Sequence, residues 1–527
     1  MHILRFGSLV LVVLLLLAPQ GAEADTDFIR TVPGALVLAG RGEIAEPVQS
    51  VFLDLAGPPG ARIVVVATEG KPRSVELWRK AGAMSVTHLG KKRLKPEELT
   101  RTLLEANAVW FEDGAAKLRK QPLLLPLLRN LLARGGVIGG DGDGTLALGV
   151  RGYDEAGTAV AAGLGLLPAS AIQLIDGAAV KASGSRTSIV SSGDGFVGWQ
   201  IPRGTAMVVH NGRRVATIGA DRIVPRIAAS GDWPEFRRMV PPMKAYEPGA
   251  SLDHELDLLS WLRAARDRMG KPFPPKTLAA PTLKKGTLIL SGGGGVSDET
   301  FARFIEAAGG KDARLVCIPS ADGFAPGEAV RSYSARQLRK VGCTNVRVLH
   351  TTDPGQADAD PRFLAELQAA KGIWIDGGRT YRLADVFQGT KAQRIMQTLL
   401  DRGGVIGGSS AGCQIAGAFL LRGDPRSNSR LVYEGYTRGL DFLPGVVLDA
   451  HFRQRKRQHG LKELIQEMPQ LLGIGVDANA AVMIEGHIAT VLGKEAVTFY
   501  AAKDGQVDGT LVESGGRYDL KAREKAP

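Results

Sequence analysis

Ser410 lies in Gly408-Ser409-Ser410-Ala411-Gly412, a G-x-S-x-G pattern. In this pattern a sharp strand-to-helix turn projects the serine hydroxyl as a nucleophile. Glycines two residues to either side let the chain fold back, and the N–H after the serine can hold an oxyanion. The context agrees: apolar Val405 and Ile406 precede, and AGCQIAGAFLL can form a helix. In a chain with 67 glycines the pattern alone fits a plain tight turn equally well. A serine also needs a base. His451, in VVLDAHFRQRKR, ends a strand-like apolar run 41 residues after Ser410. His350, near another strand end, is its rival; His459 and His487 read as surface positions on a helix or hairpin.

Other constellations are weaker. The SGGGGVSD loop has Asp298 where a dinucleotide fingerprint needs its third glycine, so it reads as a strand-end loop lining the site. GDGDGT at Gly140 to Thr145 lacks the remainder of a calcium loop and reads as an acidic turn. The three cysteines, Cys317, Cys343 and Cys413, have neither CxxC nor Cys/His spacing. Neither a disulfide scaffold nor a metal site follows, and no cofactor is expected.

The elements that must carry these residues alternate. Short apolar runs end in glycines and lead into amphipathic stretches. In SDETFARFIEAAGG, Ser297 or Asp298 can cap a helix, with Phe301, Phe304, Ile305 and Ala308 on one face and Gly309-Gly310 as its stop. Buried strands alternating with such helices predict an α/β fold with a mainly parallel sheet, whose ligands sit at the carboxyl ends of the strands. The glycine clusters fall at those ends. MVVHNGRRVATIG and VMIEGHIATVLG read as hairpins turning at Asn211-Gly212 and Glu485-Gly486.

The pattern occurs twice. GALVLAGRGE, ARIVVVATEG, AVWFEDG and GGVIGGDGDG in the first half answer GTLILSGGGG, ARLVCIPSADG, GIWIDGG and GGVIGGSSAG in the second, in the same order. LGLLPASAIQLI likewise answers DFLPGVVLDAHF. Aligned this way, Ser410 faces Gly142 and His451 faces Ile175. One active and one degenerate copy are expected, so the turn itself does not require the serine or the histidine.

Composition bounds the rest. At 527 residues and 44% hydrophobic the chain exceeds one ordinary core. Its net charge of +12 is spread along the chain, apart from RQRKR at Arg453 to Arg457 and a terminal KAREK. It favours acidic partners, and no aromatic–basic interleaving suggests nucleic acid. His2 and Arg5, the apolar Leu9 to Leu17 and Ala22-Glu23-Ala24 read as a cleaved secretory signal, with Asp25 starting a secreted or periplasmic protein. No later apolar run is long enough to span, so no membrane association is expected after cleavage.

GSSAG, LPGVVLDAHFRQRKR and GIGVDANAAVMIEG together resemble the serine-peptidase family of cyanophycinase and α-aspartyl dipeptidase. The resemblance covers residues ~286–500 well and the first half as a diverged copy. It implies two tandem flavodoxin-like domains of the class I glutamine-amidotransferase type. It implies Ser410 as nucleophile, His451 as base, and an oxyanion hole from the N–H groups of Ala411, Gly377 and Gly378. For the acidic member it leaves Asp424 or Glu434. Arg379, Thr380, Asp449, Arg455 and Arg457 become candidates for substrate binding; a solvated helix face is the plain alternative for RQRKR. The implied substrate is a peptide or poly(Asp-Arg) polymer, with α-aspartyl dipeptides, other isopeptides or an inactive binding role as alternatives. The family's GGDQ reads Gly377-Gly378-Arg379-Thr380 here, its DQHF reads Asp449-Ala450-His451-Phe452, and its third arginine is Gly460. The organisation expected is a signal over 1–24, a degenerate domain over 25–270, a proline-rich linker over 271–285, a catalytic domain over 286–510 and a basic tail over 511–527. An internal pseudo-dimer or a dimer of chains is the assembly expected.

Overall fold

A computed structural model describes residues 32–57, 60–69, 71–90, 95–114, 117–118, 121–177, 189–190, 195–219, 221–227, 256–324 and 328–527. The segment expected to be a signal, residues 1–24, lies outside these residues. The chain divides into two compact units, and the division in sequence falls between Lys271 and Pro272.

The first unit contains an eight-stranded sheet. Strands Ala35–Ala39, Val137–Asp141, Ala108–Phe111, Arg62–Val66 and Ser85–Leu89 run parallel in that order. The hairpin Thr205–His210 and Arg214–Gly219 extends the sheet antiparallel beyond Ala35–Ala39. It turns at Asn211 and Gly212, as the sequence predicts, both at positive φ. Ser170–Ile175 and Val197–Pro202 belong to a separate five-stranded sheet.

The second unit is built on a nine-stranded sheet. Val346–Val348, Leu315–Ile318, Gly372–Ile375, Val405–Ser409 and Thr287–Ser291 are parallel in that order. Ala480–Glu485 and Ile488–Gly493 continue it antiparallel. Leu443–Ala450 and Leu472–Val476 run parallel in a second, five-stranded sheet. Both units are therefore α/β with mixed, mostly parallel main sheets.

The central strands are apolar throughout because both faces are covered. Leu288 and Leu290 enter one core and Ile289 the other. The Asp298–Ala307 helix follows its sequence pattern. Ser297 caps it by accepting from Thr300 N–H, and Phe301, Phe304 and Ile305 are buried. Phe301 and Phe304 pack on Trp374, with ring centroids 4.8 and 5.1 Å away. Trp374 in turn lies against Gly407, where an added Cβ would be 2.2 Å from the indole.

Two boundaries differ from expectation. The proline-rich segment is no free spacer: Phe273 stacks on Phe419 at 6.1 Å, Arg438 lies 4.0 Å over the Phe273 ring, and Leu283 N–H donates to Gly486 O. Its scattered apolar residues give no periodicity but still find the core. The supposed basic tail is sheet, with Arg517–Asp519 and Glu524–Ala526 joining the nine-stranded sheet. Tyr518 and Leu520 alternate inward beneath the charged residues, and Tyr518 stacks on Phe499 at 4.0 Å. Among the described residues no helix is long and apolar enough to cross a membrane.

Gly407→Val should cost about 3 kcal/mol in urea unfolding, because the buried Trp374 indole leaves no room for a side chain. A loss under about 0.5 kcal/mol would refute this packing account.

Candidate active site

The strand Val405–Ser409 ends at the carboxyl edge of the sheet, and the chain turns into Ala411–Gln414 at Ser410. Ser410 has φ 52 and ψ −108. Such left-handed backbone is strained for a residue with a Cβ. It is held by Ser410 N–H donating to Ser291 O at 2.9 Å and by the Ser410 carbonyl accepting from Cys413 and Gln414. Gly412 is required sterically: a Cβ there would lie 2.1 Å from Ile375 O.

His451 follows the strand Leu443–Ala450, with φ 50 and its N–H bonded to Gly292 O at 2.9 Å. Its Nε2 lies 3.0 Å from Ser410 Oγ. The sequence-selected pair is thus brought into hydrogen-bond contact. The rival His350 is elsewhere, with its ring edge against Phe324.

A cleft of about 300 Å³ opens over the pair. Gly293 to Val296 form one wall; Pro319, Asp322, Arg331 and Tyr333 form another; Asp376, Gly377 and Ser409 complete it. Gly377 presses on the serine, since a Cβ there would stand 3.3 Å from Ser410 Cβ. Gly293 similarly covers the imidazole, where a Cβ would stand 2.5 Å from His451 Cε1. The N–H groups of Ala411, Gly377 and Gly378 have no hydrogen-bond acceptor among the described residues.

The remaining expected site residues separate. Asp424 is buried, but its carboxylate accepts from Arg426 N–H and faces Arg426 and Arg430, not His451. No described contact links Glu434 to His451 either. Asp449 is wholly buried and saturated: Arg422 grips both its oxygens, Arg457 donates at 2.7 Å and Gln414 at 3.1 Å. Asp449 and Arg457 therefore build the interior and are not open to substrate, because alternation along the strand turns Asp449 inward. Arg379 points away to Asp424 O at 2.8 Å, and Thr380 is buried facing Gln414. Of the basic run, Arg453 pairs with Asp477 while Arg455 stays exposed beside His451.

Burial lowers the His451 pKa to about 4, with Arg455 and Arg457 pushing the same way and Asp449 opposing them. The imidazole is thus neutral at pH 7 and able to take a proton.

Sequence reasoning missed Asp376, Asp322, Arg331 and Tyr333. Asp376 accepts from Ser332 Oγ at 2.6 Å and from Ser334 N–H, fixing the start of the helix Tyr333–Lys340. A trace of this was present, because AVWFEDG sets Glu112 opposite Asp376. Glu112 accepts from Arg73 and Ser74 N–H at the corresponding helix start. Arg331 sits in a loop and Tyr333 opens the helix that follows it, and neither carries a comparable mark.

The model of peptidase family S51 matches residues 287–492. A cyanophycinase of Synechococcus elongatus is 30% identical over 220 residues, spanning 40% of this chain and 67% of that protein. The chain belongs to peptidase family S51. A cyanophycinase of Geminocystis herdmanii is 29% identical over 232 residues, covering 42% of this chain and 82% of its own. A crystal structure of a peptidase from an acI-B1 actinobacterium aligns over 46% of this chain and 98% of its own, with 20% identity and a TM-score of 0.36. The S51 match encloses Ser410, His451 and every wall of the cleft.

The neutral imidazole is lost as pH falls through its folded pKa. Acylation of Ser410 by a fluorophosphonate should therefore hold its rate down to about pH 5 and fall with a midpoint near 4. Arg455→Gln removes one of the charges that lower this pKa, so it should move the midpoint upward, toward 6.5. A wild-type midpoint at 6.5 or above would contradict the buried, arginine-flanked imidazole.

Proposed function

We propose that the chain is a secreted serine-type peptidase that hydrolyses amide or isopeptide bonds through an acyl-enzyme. The observation that carries this is the 3.0 Å contact between Ser410 Oγ and His451 Nε2, on a positive-φ turn at the sheet's carboxyl edge. His451 takes the Ser410 proton as the oxygen attacks the carbonyl carbon. The resulting oxyanion is held by the N–H groups of Ala411, Gly377 and Gly378. Collapse breaks the C–N bond, and His451 returns the proton to the leaving amine. Water, deprotonated by His451, then splits the ester and regenerates Ser410.

The substrate class follows the relatives: a poly(Asp-Arg) polymer of the cyanophycin type, cut to β-Asp-Arg dipeptides. Arg455 beside the base, with Asp322 and Arg331 on the wall, offers both charge signs to such a zwitterionic unit. Because Asp449 and Arg457 are internal, α-aspartyl dipeptides or other isopeptides form a second reading.

The first unit is read as a degenerate tandem copy of the flavodoxin-like catalytic domain. Gly142 occupies the elbow with φ 53 and ψ −125, angles similar to the φ 52 and ψ −108 of Ser410, yet carries no hydroxyl.

Purified cyanophycin incubated with the full chain should release dipeptides, and Ser410→Ala should lower kcat about 10⁴-fold or more. Probe labelling at Ser410 without release would retain the hydrolase and reject this substrate. Absence of both would reject the enzyme.

A further inference from the structure

A catalytic imidazole is normally oriented by a hydrogen bond at its second nitrogen. His451 has none. Its interactions are Ser410 at Nε2 and the charges of Arg455, Arg457 and Asp449; among the described residues no carboxylate reaches Nδ1. The ring must therefore be held by the chain that carries it.

That chain is clamped on both sides by one turn. Asp477, wholly buried, follows the strand Leu472–Val476. Its Oδ1 accepts from Arg453 N–H at 2.9 Å and its Oδ2 from Arg453 Nε at 2.5 Å. Arg453 also reaches Glu495 at 3.2 Å. The next residue, Ala478, donates its N–H to Gln454 Oε1 at 2.9 Å. Asn479 then donates to Gly293 O at 2.7 Å. The same short turn thus fixes the segment after His451 and the glycine loop pressed on its ring. His451 itself has positive φ, a conformation that needs such external support.

We propose that Asp477 is the positioning residue of the site: by gripping Arg453 it holds the His451 turn under Gly293, so that the imidazole faces Ser410 without a carboxylate on its other nitrogen. This rests on the Ser410–His451 reading above. A buried carboxylate is a costly means of fixing a turn unless the position matters. Arg455, Arg457 and Asp449 act on His451 from its own strand and turn, and Asp322, Arg331, Tyr333 and Asp376 line the cleft around it. Asp477 and Arg453 are not among the charges that shift His451. Loss of the Asp477 carboxylate would by itself favour the neutral imidazole, so a rise in the titration there reports a moved ring.

The test is a carbon-13 NMR titration of histidine-labelled full chain, with His451 assigned by the signal lost in His451→Gln. In Asp477→Asn the ring should swing toward water and away from the arginines. Its midpoint should rise from about 4 toward 6.5. Fluorophosphonate labelling of Ser410 should slow roughly tenfold to a hundredfold. Asp477→Glu, which keeps the carboxylate, should recover part of both. Should Asp477→Asn not fold, Arg453→Met carries the test, since that side chain is 40% exposed. An unmoved midpoint in the folded variants overturns the proposal. Failure of the wild-type chain to label at Ser410 overturns the hydrolase reading instead, because the titration reports ring position whether or not the serine reacts.

Discussion

The close backbone contact at Gly412 is the constraint on which the site depends. The chain must leave the centre of a parallel sheet and enter a helix within one residue. It does so by laying Gly412 against the Ile375 carbonyl and Gly408 against Gly412. Ser410 is then forced to positive φ, at a cost of about 1–2 kcal/mol. The neighbouring strands decide what surrounds it. Gly372–Ile375 delivers Gly377 to one side, and Thr287–Ser291 delivers Gly293 to the other. Glycine at each of these points leaves space for a hydroxyl and an imidazole to meet.

Buried carboxylates fix the walls around this turn. Asp376 starts the helix behind Arg331 and Tyr333, Asp449 gathers Arg422, Arg457 and Gln414, and Asp477 holds Arg453. Such charges survive burial only when their oxygens are well bonded. The pairing also has an electrostatic consequence. Arg457, recruited to neutralise Asp449, joins Arg455 and burial in keeping His451 neutral. Interactions that stabilise the interior therefore also help to keep His451 neutral.

The first unit separates the turn from the chemistry. Gly142 adopts nearly the same angles as Ser410, and Gly144 lies against Phe111 O as Gly412 lies against Ile375 O. Beside that turn, Asp141 pairs with Arg73 and Trp110, and burial raises its pKa to about 6. The elbow is thus a feature the backbone can keep without a nucleophile.

Much of this was legible in the amino-acid order. Alternating apolar runs and amphipathic stretches determined α/β units, because each element's period records which faces are covered. The Asn211-Gly212 hairpin and the Ser297-capped helix were readable for the same local reason. Ser410 and His451 were marked by glycine spacing and by strand-end position. Tertiary structure alone decided which polar groups reach them. Asp424, Asp449, Arg379 and Arg457 have the right chemistry for substrate or triad roles, yet each is turned inward to another partner. Asp322 and Arg331 arrive from loops that carry no pattern, and Tyr333 from the first turn of a helix. A side chain's direction depends on the partner that satisfies its charge on burial, and that partner can lie anywhere in the sequence. Local order therefore fixed the turn and the Ser410–His451 pair, and only the folded chain fixed the walls.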